Sequence, residues 1–280
     1  MTITFDPIMD PVQEKYNATV TAIHHFTPDL FTIQVKPDKP MAPFTSGQYV
    51  LLGLSSNMAR REGSAPEFKE QKPDRLVLRA YSIGSAGHEP ELLEFYISVV
   101  PMGSLTPRMV QLKPGDRLNV GEKIRGFFTL DTVPSSHEWV VLAATGTGLA
   151  PYVSMMRAHM EKPFPFRFVI LHGAPRSWEL GYLRELSLYA KFLPDVTYIP
   201  SITRVKEDPF WTGESGRITR YFDTSLLHER LGLEFDPNKT SVFLCGNPAM
   251  IEDVKKVLEP KGYSVHAPAT PGSLHVEEYW

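Results

Sequence analysis

The sequence of 280 residues contains a single cysteine, Cys245, and has neither a long apolar run nor an excess of basic residues. One cysteine excludes an intramolecular disulfide and an iron–sulfur cluster held by this chain alone, because such a cluster takes four cysteines or a Cys/His mixture. No stretch approaches the roughly 20 apolar residues of a membrane helix, so we expect no membrane association. The net charge of −3 argues against a nucleic-acid-binding protein.

The first twenty residues contain acidic side chains and lack the basic-then-apolar order of a secretory signal, which favours a cytoplasmic protein. The length suits two domains, each with its own core. Hydrophobic residues make up 42% and charged residues 22% of the chain, which is typical of globular enzymes. We therefore expect a two-domain globular protein. We also expect that it acts as a monomer.

Short runs rich in β-branched and aromatic residues fill the first half of the chain, and Gly/Pro turns separate them. The clearest are 30–35, 48–54, 76–83 and 93–99. This pattern predicts an antiparallel β-barrel within residues 1–134. The polar segment 55–75 is predicted to be a surface loop. It is either a solvated insertion or a docking surface that uses Arg60, Arg61, Lys69 and Lys72.

From about residue 138 the pattern changes to strands that alternate with helices. Predicted strands cover 138–144, 166–172, 196–200 and 241–245, and predicted helices reach to Met160 and span 179–190 and 248–258. Such alternation predicts a parallel sheet with helices on both faces. We therefore assign residues 135–280 to an α/β domain, joined to the first domain by a linker at 132–136.

Two segments of the first half carry chemistry suited to a dinucleotide. Residues 79–82 (RAYS) place a guanidinium that can pair with pyrophosphate, a flat ring and a small hydroxyl at the end of a predicted strand. In isolation this motif is more often a packing feature of a strand. Residues 103–106 (GSLT) present backbone N–H groups and hydroxyls at a helix start, where a phosphate can bind, although an ordinary N-cap at Thr106 explains them too.

Two turns of the second half follow predicted strands at the same sheet edge, where ligands of open α/β sheets bind. In residues 145–151 (TGTGLAP) glycines allow close approach of a ligand, but Pro151 stands where G-x-G-x-x-G has its last glycine. In residues 245–248 (CGNP), Cys245 is either a site residue or a small buried hydrophobe. The chain ends in VEEYW, whose aromatic pair could stack on a flat cofactor.

Taken together, these segments resemble the ferredoxin–NADP+ reductase family, in particular bacterial members that end in an aromatic residue or pair. The resemblance covers nearly the whole chain, because RAYS, EFYISVVPMGSLT, GFF, ATGTGLAP, LCGNPAM and VEEYW occur in the same order. It implies an FAD-binding barrel, an NADP(H)-binding α/β domain, and hydride transfer between NADPH and FAD. It further implies ferredoxin or flavodoxin as the one-electron partner, guided by basic residues Arg60, Arg61, Lys123 and Arg125.

The resemblance also implies roles for individual residues. Those near the reacting centre are Ser82, Cys245, Glu277 and Tyr279. The residues expected to bind FAD are Arg79, Ala80, Tyr81, Ser82, Tyr96, Ile97, Ser98, Ser104, Leu105, Thr106, Thr147, Tyr279 and Trp280, the last extending toward the adenine end. The residues expected to bind NADP(H) are Arg176, Thr203, Arg204, Arg217, Asn247 and Pro248, although the family's arginine lies one position before Arg176. Two guanidiniums favour NADPH over NADH.

Two other functions fit the same sequence. One is an NADPH-dependent flavin reductase or oxygenase-component reductase on the same fold, which differs in its electron acceptor. The other is a non-catalytic nucleotide-binding subunit, against which Ser82, Cys245 and Tyr279 argue. We expect no metal site, because His24 and His25 lack other clustered ligands and such a pair is usually structural or on the surface.

Overall fold

The computed structural model describes residues 10–278, and within them the first half forms an antiparallel sheet. Its strands lie in the order β4-β3-β6-β1-β2-β5. The Gly84 N–H, just after β4, donates to the Glu94 carbonyl in β5 at 2.7 Å, which brings the two edge strands together and curves the sheet into the predicted barrel. The strands are β1 (Ala18–Thr27), β2 (Leu30–Pro37), β3 (Tyr49–Ser55), β4 (Leu76–Ser82), β5 (Leu93–Ser98) and β6 (Arg117–Val120), and the short helix α1 (Thr106–Met109) precedes β6.

The core of this barrel follows from alternation along its strands. Phe31, Ile33 and Val35 occupy every second position of β2 and are fully buried, as are Val50 and Leu52 of β3. Because successive side chains of a strand point to opposite faces, a run with this period closes one face over a core.

The second half forms a parallel sheet in the order β10-β9-β8-β7-β11-β12. Its strands are β7 (Trp139–Thr145), β8 (Arg167–Ala174), β9 (Val196–Ile202), β10 (Glu214–Ser215), β11 (Thr240–Gly246) and β12 (Leu274–Glu278). Its helices are α2 (Ala150–Glu161), α3 (Leu183–Phe192), α4 (Arg220–Asp223), α5 (Leu226–Leu231) and α6 (Pro248–Leu258).

The central strand β7 is buried on both sides. Leu142 belongs to the cluster that contains Tyr152 of α2, whereas its neighbour Val141 belongs to the cluster that contains Ile251 of α6. Consecutive residues of one strand thus face two helical layers, which explains the continuous apolar run. The predicted combination of an antiparallel barrel with an α/β parallel sheet is confirmed.

Some predicted boundaries differ from the structure. Helix α3 begins at Leu183 rather than at residue 179, because Ser177–Glu179 form a 3-10 turn and Tyr182 adopts a left-handed conformation (φ 61°). The sequence-based prediction had no strand at β1, β6, β10 or β12. The division at residues 134 and 135 falls between Thr132 and Trp139, in a segment without helix or strand, and stays a prediction.

Candidate cofactor site

A cleft of about 700 Å³ lies between the barrel and the carboxyl-end loops of the parallel sheet, a size typical of cofactor sites. It brings together the segments that the sequence singled out. From the barrel come Arg79, Ala80, Tyr81, Ser82, Tyr96, Ile97, Ser98, Gly103, Ser104, Leu105 and Thr106. From the parallel sheet come Thr145, Gly146, Thr147, Gly246, Asn247 and Glu278.

The two sheets meet at Ser82 and Glu277. Ser82, the last residue of β4, is buried, and its Oγ donates a hydrogen bond to Oε2 of Glu277 at 3.0 Å. Glu277 lies in β12 directly beside Cys245 of β11. Three of the four residues predicted at the reacting centre therefore form one cluster, although they are far apart in sequence.

Cys245 lies in the interior of this cluster. Its side chain is fully buried and packs in the core that contains Tyr152. Burial raises the pKa of Tyr152 well above its usual value, and the nearby Cys245 and Glu277 raise it further. Cys245 therefore has a packing role in the core, and its role in the site stays a prediction.

The barrel side of the cleft offers a ring and a guanidinium. Tyr81 is half-buried in the cleft wall, and burial raises the pKa of its hydroxyl, so the ring is neutral at physiological pH. Arg79 is exposed, and its Nη1 donates to the Leu78 carbonyl at 2.7 Å. A guanidinium has five N–H donors, so donors remain to face a phosphate.

The turn before α1 carries Ser104 and Thr106. Thr106 Oγ1 accepts a hydrogen bond from the Val100 N–H at 2.9 Å, so it braces the turn rather than serving as an ordinary N-cap, since helix α1 begins at Thr106 itself. Ser104 Oγ accepts a hydrogen bond from Gln71 Nε2 at 3.1 Å. The turn is thus held from two sides while it lines the cleft.

The glycine-rich loop at 145–151 leaves space for a ligand at Gly146 and packs closely against β11 at Gly148. A Cβ on Gly146, which has φ +57°, would meet no protein atom within 4 Å, so this position opens toward a ligand. A Cβ on Gly148 would come within 2.4 Å of the Cys245 carbonyl oxygen. Gly148 thus lets the loop pack against β11 and leaves Thr147 at the cleft. The residues present fit a flat dinucleotide.

Asn247 and Pro248 begin helix α6. Asn247 Oδ1 accepts a hydrogen bond from the Ala249 N–H at 2.8 Å, and Pro248 occupies the first turn. The Asn247 N–H donates to Thr145 Oγ1 at 2.9 Å, which ties the two loops at the sheet edge together. Asn247 lines the cleft, but its side chain acts as a helix cap.

The residues predicted for the 2′-phosphate gather at the far end of the parallel sheet. Ser215 of β10 pairs with Ile202 of β9, so Arg204 and Arg217 each follow at the same edge, and Thr203, Arg204 and Arg217 are all exposed. Arg204 lies 3.9 Å from Glu207, and Arg217 lies 3.9 Å from Asp253. Exposed pairs this long contribute little stability, so a phosphate can displace them.

Arg176 is more firmly engaged than these two. Its Nε donates to Glu207 Oε2 at 2.8 Å, and its Nη1 lies 3.2 Å from Glu179. The hydrogen bond to Glu207 is the main reason that the pKa of Arg176 is raised. Glu207 thus stands between Arg176 and Arg204.

An ion-pair network joining the two halves was not predicted from the sequence. Arg157 of α2 lies 2.8 Å from Glu94 of β5 and 2.8 Å from Glu185 of α3, and Tyr182 donates to Glu94 at 2.7 Å. Burial alone would raise the pKa of Glu94, but Arg157 and hydrogen bonds from Tyr182 and Gln34 outweigh it and lower the pKa. No local signal marks the network, because its members come from four separate segments.

The cleft wall also contains Phe68 and Lys69 from the predicted surface loop, which the sequence did not associate with the site. Phe68 is the one aromatic residue of segment 55–75, and that was the available signal. Tyr279 and Trp280, predicted to cover the flavin, lie outside the described residues. Among residues 10–278, no group of three or more His, Cys, Asp or Glu side chains could hold a metal, and no helix is long and apolar enough to cross a membrane.

A barrel joined to a parallel sheet, with a dinucleotide-sized cleft between them, defines a two-domain oxidoreductase. Residues 142–256 match the family of oxidoreductase NAD-binding domains. The chain is 32% identical to the flavodoxin/ferredoxin–NADP reductase of Escherichia coli over 262 residues, which cover 93% of this chain and 97% of that protein. It is 34% identical to ferredoxin–NADP reductase A of Sorangium cellulosum over 270 residues, covering 93% and 88% of the two chains. The chain belongs to the ferredoxin/flavodoxin–NADP reductase family.

A solved structure supports the same fold. The ferredoxin NADP+ reductase from Neisseria gonorrhoeae, determined with bound FAD and NADP, superimposes with a TM-score of 0.78 at 22% identity. The match covers 95% of this chain and 99% of that one. These relatives favour the predicted reductase over the two alternative functions.

Proposed function

We propose that this protein holds FAD in the cleft, takes reducing equivalents from NADPH, and passes them to a ferredoxin or flavodoxin. The observation that carries the proposal is the Ser82–Glu277 hydrogen bond, because it joins the RAYS strand of the barrel to the strand beside Cys245. Family membership supports the cofactor pair and the class of acceptor.

In this proposal the residues of the chain bind FAD and orient the groups around it. FAD, when bound, supplies the chemistry, since a flavin accepts two electrons from a nicotinamide and releases them singly. Arg79 and the turn at Ser104 and Thr106 provide donors for the pyrophosphate. Tyr81 offers a flat face, and Glu277 orients the Ser82 hydroxyl.

The second cofactor is NADPH in this proposal. Arg204 and Arg217 lie exposed at one sheet edge and are only loosely paired. Two guanidiniums match the charge and geometry of a 2′-phosphate better than a ribose diol. Thr203 is exposed beside Arg204 and adds a hydroxyl donor.

The electron partner is proposed to be a small acidic protein. Of the four basic residues considered for steering, Arg60 and Arg61 are engaged within the chain, because Arg61 pairs with Asp29 at 2.6 Å and Arg60 donates to the Pro101 carbonyl at 2.6 Å. Lys123 and Arg125 are exposed, so they carry the steering role. We further propose that the protein acts as a monomer in the cytoplasm, a reducing compartment in which a chain with one cysteine and no intramolecular disulfide is at home.

The proposal is tested by the flavin content and by the choice of acceptor. Heat-released flavin from the purified protein should be FAD, close to one per chain. With NADPH as donor, ferredoxin or flavodoxin should be reduced with a much higher kcat/KM than free FMN. A preference for free flavin as acceptor would indicate a flavin reductase instead. A purified protein without flavin would support the alternative of a non-catalytic nucleotide-binding subunit.

A further inference from the structure

Residues 56–75 form an ordered loop that a buried arginine of α1 holds by hydrogen bonds. Arg108 of α1 is 6% exposed, and its Nε donates to the Met58 carbonyl at 2.7 Å. Its Nη2 donates to the Ser56 carbonyl at 3.0 Å, and its Nη1 donates to Glu67 Oε1 at 2.7 Å. A guanidinium with donors directed at three points of one loop fixes the shape of that loop. A merely solvated insertion has no need of a buried arginine.

The end of the loop that faces the cleft is tied to the turn before α1. The Phe68 N–H donates to the Met102 carbonyl at 3.1 Å. Gln71 Nε2 donates to Ser104 Oγ at 3.1 Å. Because Ser104 belongs to the turn expected to bind pyrophosphate, the loop and that turn form one unit.

Within this unit the backbone of Phe68 is hydrogen-bonded, whereas its side chain is exposed to solvent. The residue is 75% exposed, yet it lines the cleft together with Lys69 and Met102. A phenyl ring left in water forgoes the free energy that its burial would give. The position is therefore suited to an aromatic ligand that covers the ring.

The order of groups along the cleft indicates which part of a dinucleotide reaches Phe68. Tyr81 and Ser82 lie where the two sheets meet, and the turn containing Ser104 follows along the barrel wall. In a flavin dinucleotide the pyrophosphate separates the flavin half from the adenosine half. The 56–75 loop is joined to the pyrophosphate turn at its end away from Tyr81 and Ser82. The loop is therefore expected to face the adenosine half.

We propose that the 56–75 loop is a built part of the FAD site, in which Phe68 stacks on the adenine and Lys69 pairs with the pyrophosphate. This inference rests on the proposed function, since it requires FAD in the cleft. It assigns the adenine to Phe68, whereas the sequence resemblance directs Trp280 toward the adenine end of FAD.

The test compares binding of FAD with binding of FMN, which lacks the adenosine. The full chain is freed of flavin and titrated with each cofactor by flavin fluorescence, for the natural protein and for Phe68→Ala. Loss of the stack should raise the Kd for FAD about tenfold and leave the Kd for FMN within twofold. Phe68→Tyr should restore the natural Kd for FAD. Phe192→Ala is the matched control, because Phe192 is 69% exposed on α3 outside the cleft.

The Lys69→Gln variant tests the second contact. It should weaken FAD binding severalfold and flatten the dependence of the Kd on salt concentration. An unchanged Kd for FAD in Phe68→Ala, or equal losses of affinity for FAD and FMN, would overturn the proposal. So would a result in which Trp280→Ala removes the preference for FAD over FMN and Phe68→Ala does not. Failure of the natural protein to bind either flavin would instead contradict the proposed function.

Discussion

The hydroxyl of Ser82 and the carboxylate of Glu277, which are 195 positions apart in sequence, lie 3.0 Å from each other in the folded chain. Ser82 ends a strand of the barrel, and Glu277 lies in the last strand of the parallel sheet. The pair joins the two halves where the cleft is expected to hold the reacting end of the flavin. Because each group positions the other, their effects on reduction of the flavin should not be independent.

We expect Ser82→Ala and Glu277→Gln each to slow reduction of the flavin by NADPH about 10- to 100-fold. The double variant should be no slower than the worse single variant, because both changes remove one shared interaction. The measurement is the observed rate of flavin bleaching at saturating NADPH. Ser135→Ala, at an exposed position outside the cleft, is the control and should stay within threefold. Multiplying effects would show that the two groups act separately.

Arg204 and Arg217 should determine the preference for NADPH. Removal of either guanidinium, as in Arg204→Ala or Arg217→Ala, should raise KM for NADPH about tenfold, since a charge-assisted hydrogen bond contributes roughly 1.5–3 kcal/mol. KM for NADH should hardly change. Arg176→Ala is the matched comparison, because Arg176 is already engaged by Glu207 and Glu179, and its effect should be below threefold. A larger loss in Arg176→Ala than in Arg204→Ala would reverse the assignment.

The Arg157 network should matter for the stability of the whole chain. Arg157→Met leaves the mostly buried carboxylate of Glu94 without its guanidinium, so the free energy of unfolding should fall by about 3–5 kcal/mol. Lys255→Met is the control, because Lys255 pairs with Glu252 on the surface of α6 and its loss should cost below about 1 kcal/mol. Denaturant unfolding measures both variants. Equal losses would mean that the network contributes no more than a surface pair.

Acid should destabilise the protein through His275. Burial, together with His266 and His137, lowers the pKa of His275 from 6.5 to about 3. Between pH 6.5 and 3, His275 is protonated in the unfolded chain but neutral in the folded chain. The free energy of unfolding therefore keeps the whole contribution of this ring above pH 6.5 and loses it as the pH drops toward 3. The slope from this ring is about 1.4 kcal/mol per pH unit. His275→Gln should lower the slope of unfolding free energy between pH 6.5 and 4.5, and an unchanged slope would contradict this role of His275.

The sequence predicted the segments of the site better than the elements that assemble them. Residues 248–258 were predicted as a helix and form α6 with the same bounds, because Asn247 caps it and Pro248 suits its first turn. By contrast, strand β12 depends on parallel pairing of Leu274 with Val242 of β11, a contact that no local pattern of residues 274–278 indicates.

The roles of buried charges and of the long loop were also beyond the reach of the sequence. No sequence pattern marks Glu67 and Arg108 as partners, yet they pair at 2.7 Å with Arg108 buried. His24 and His25 were expected to be structural or surface residues, and both are exposed on β1. A buried ion pair such as Glu67–Arg108 forms only when distant segments meet, so periodicity and composition cannot assign it.

The central claim is tested most directly by anaerobic rapid mixing of the purified protein with NADPH and, separately, with NADH, while the absorbance band of the flavin is followed. Fast bleaching by NADPH with much slower bleaching by NADH is the predicted result, and it would support both hydride transfer and the Arg204/Arg217 assignment. An absent flavin band, or no bleaching by either nucleotide, would contradict the account.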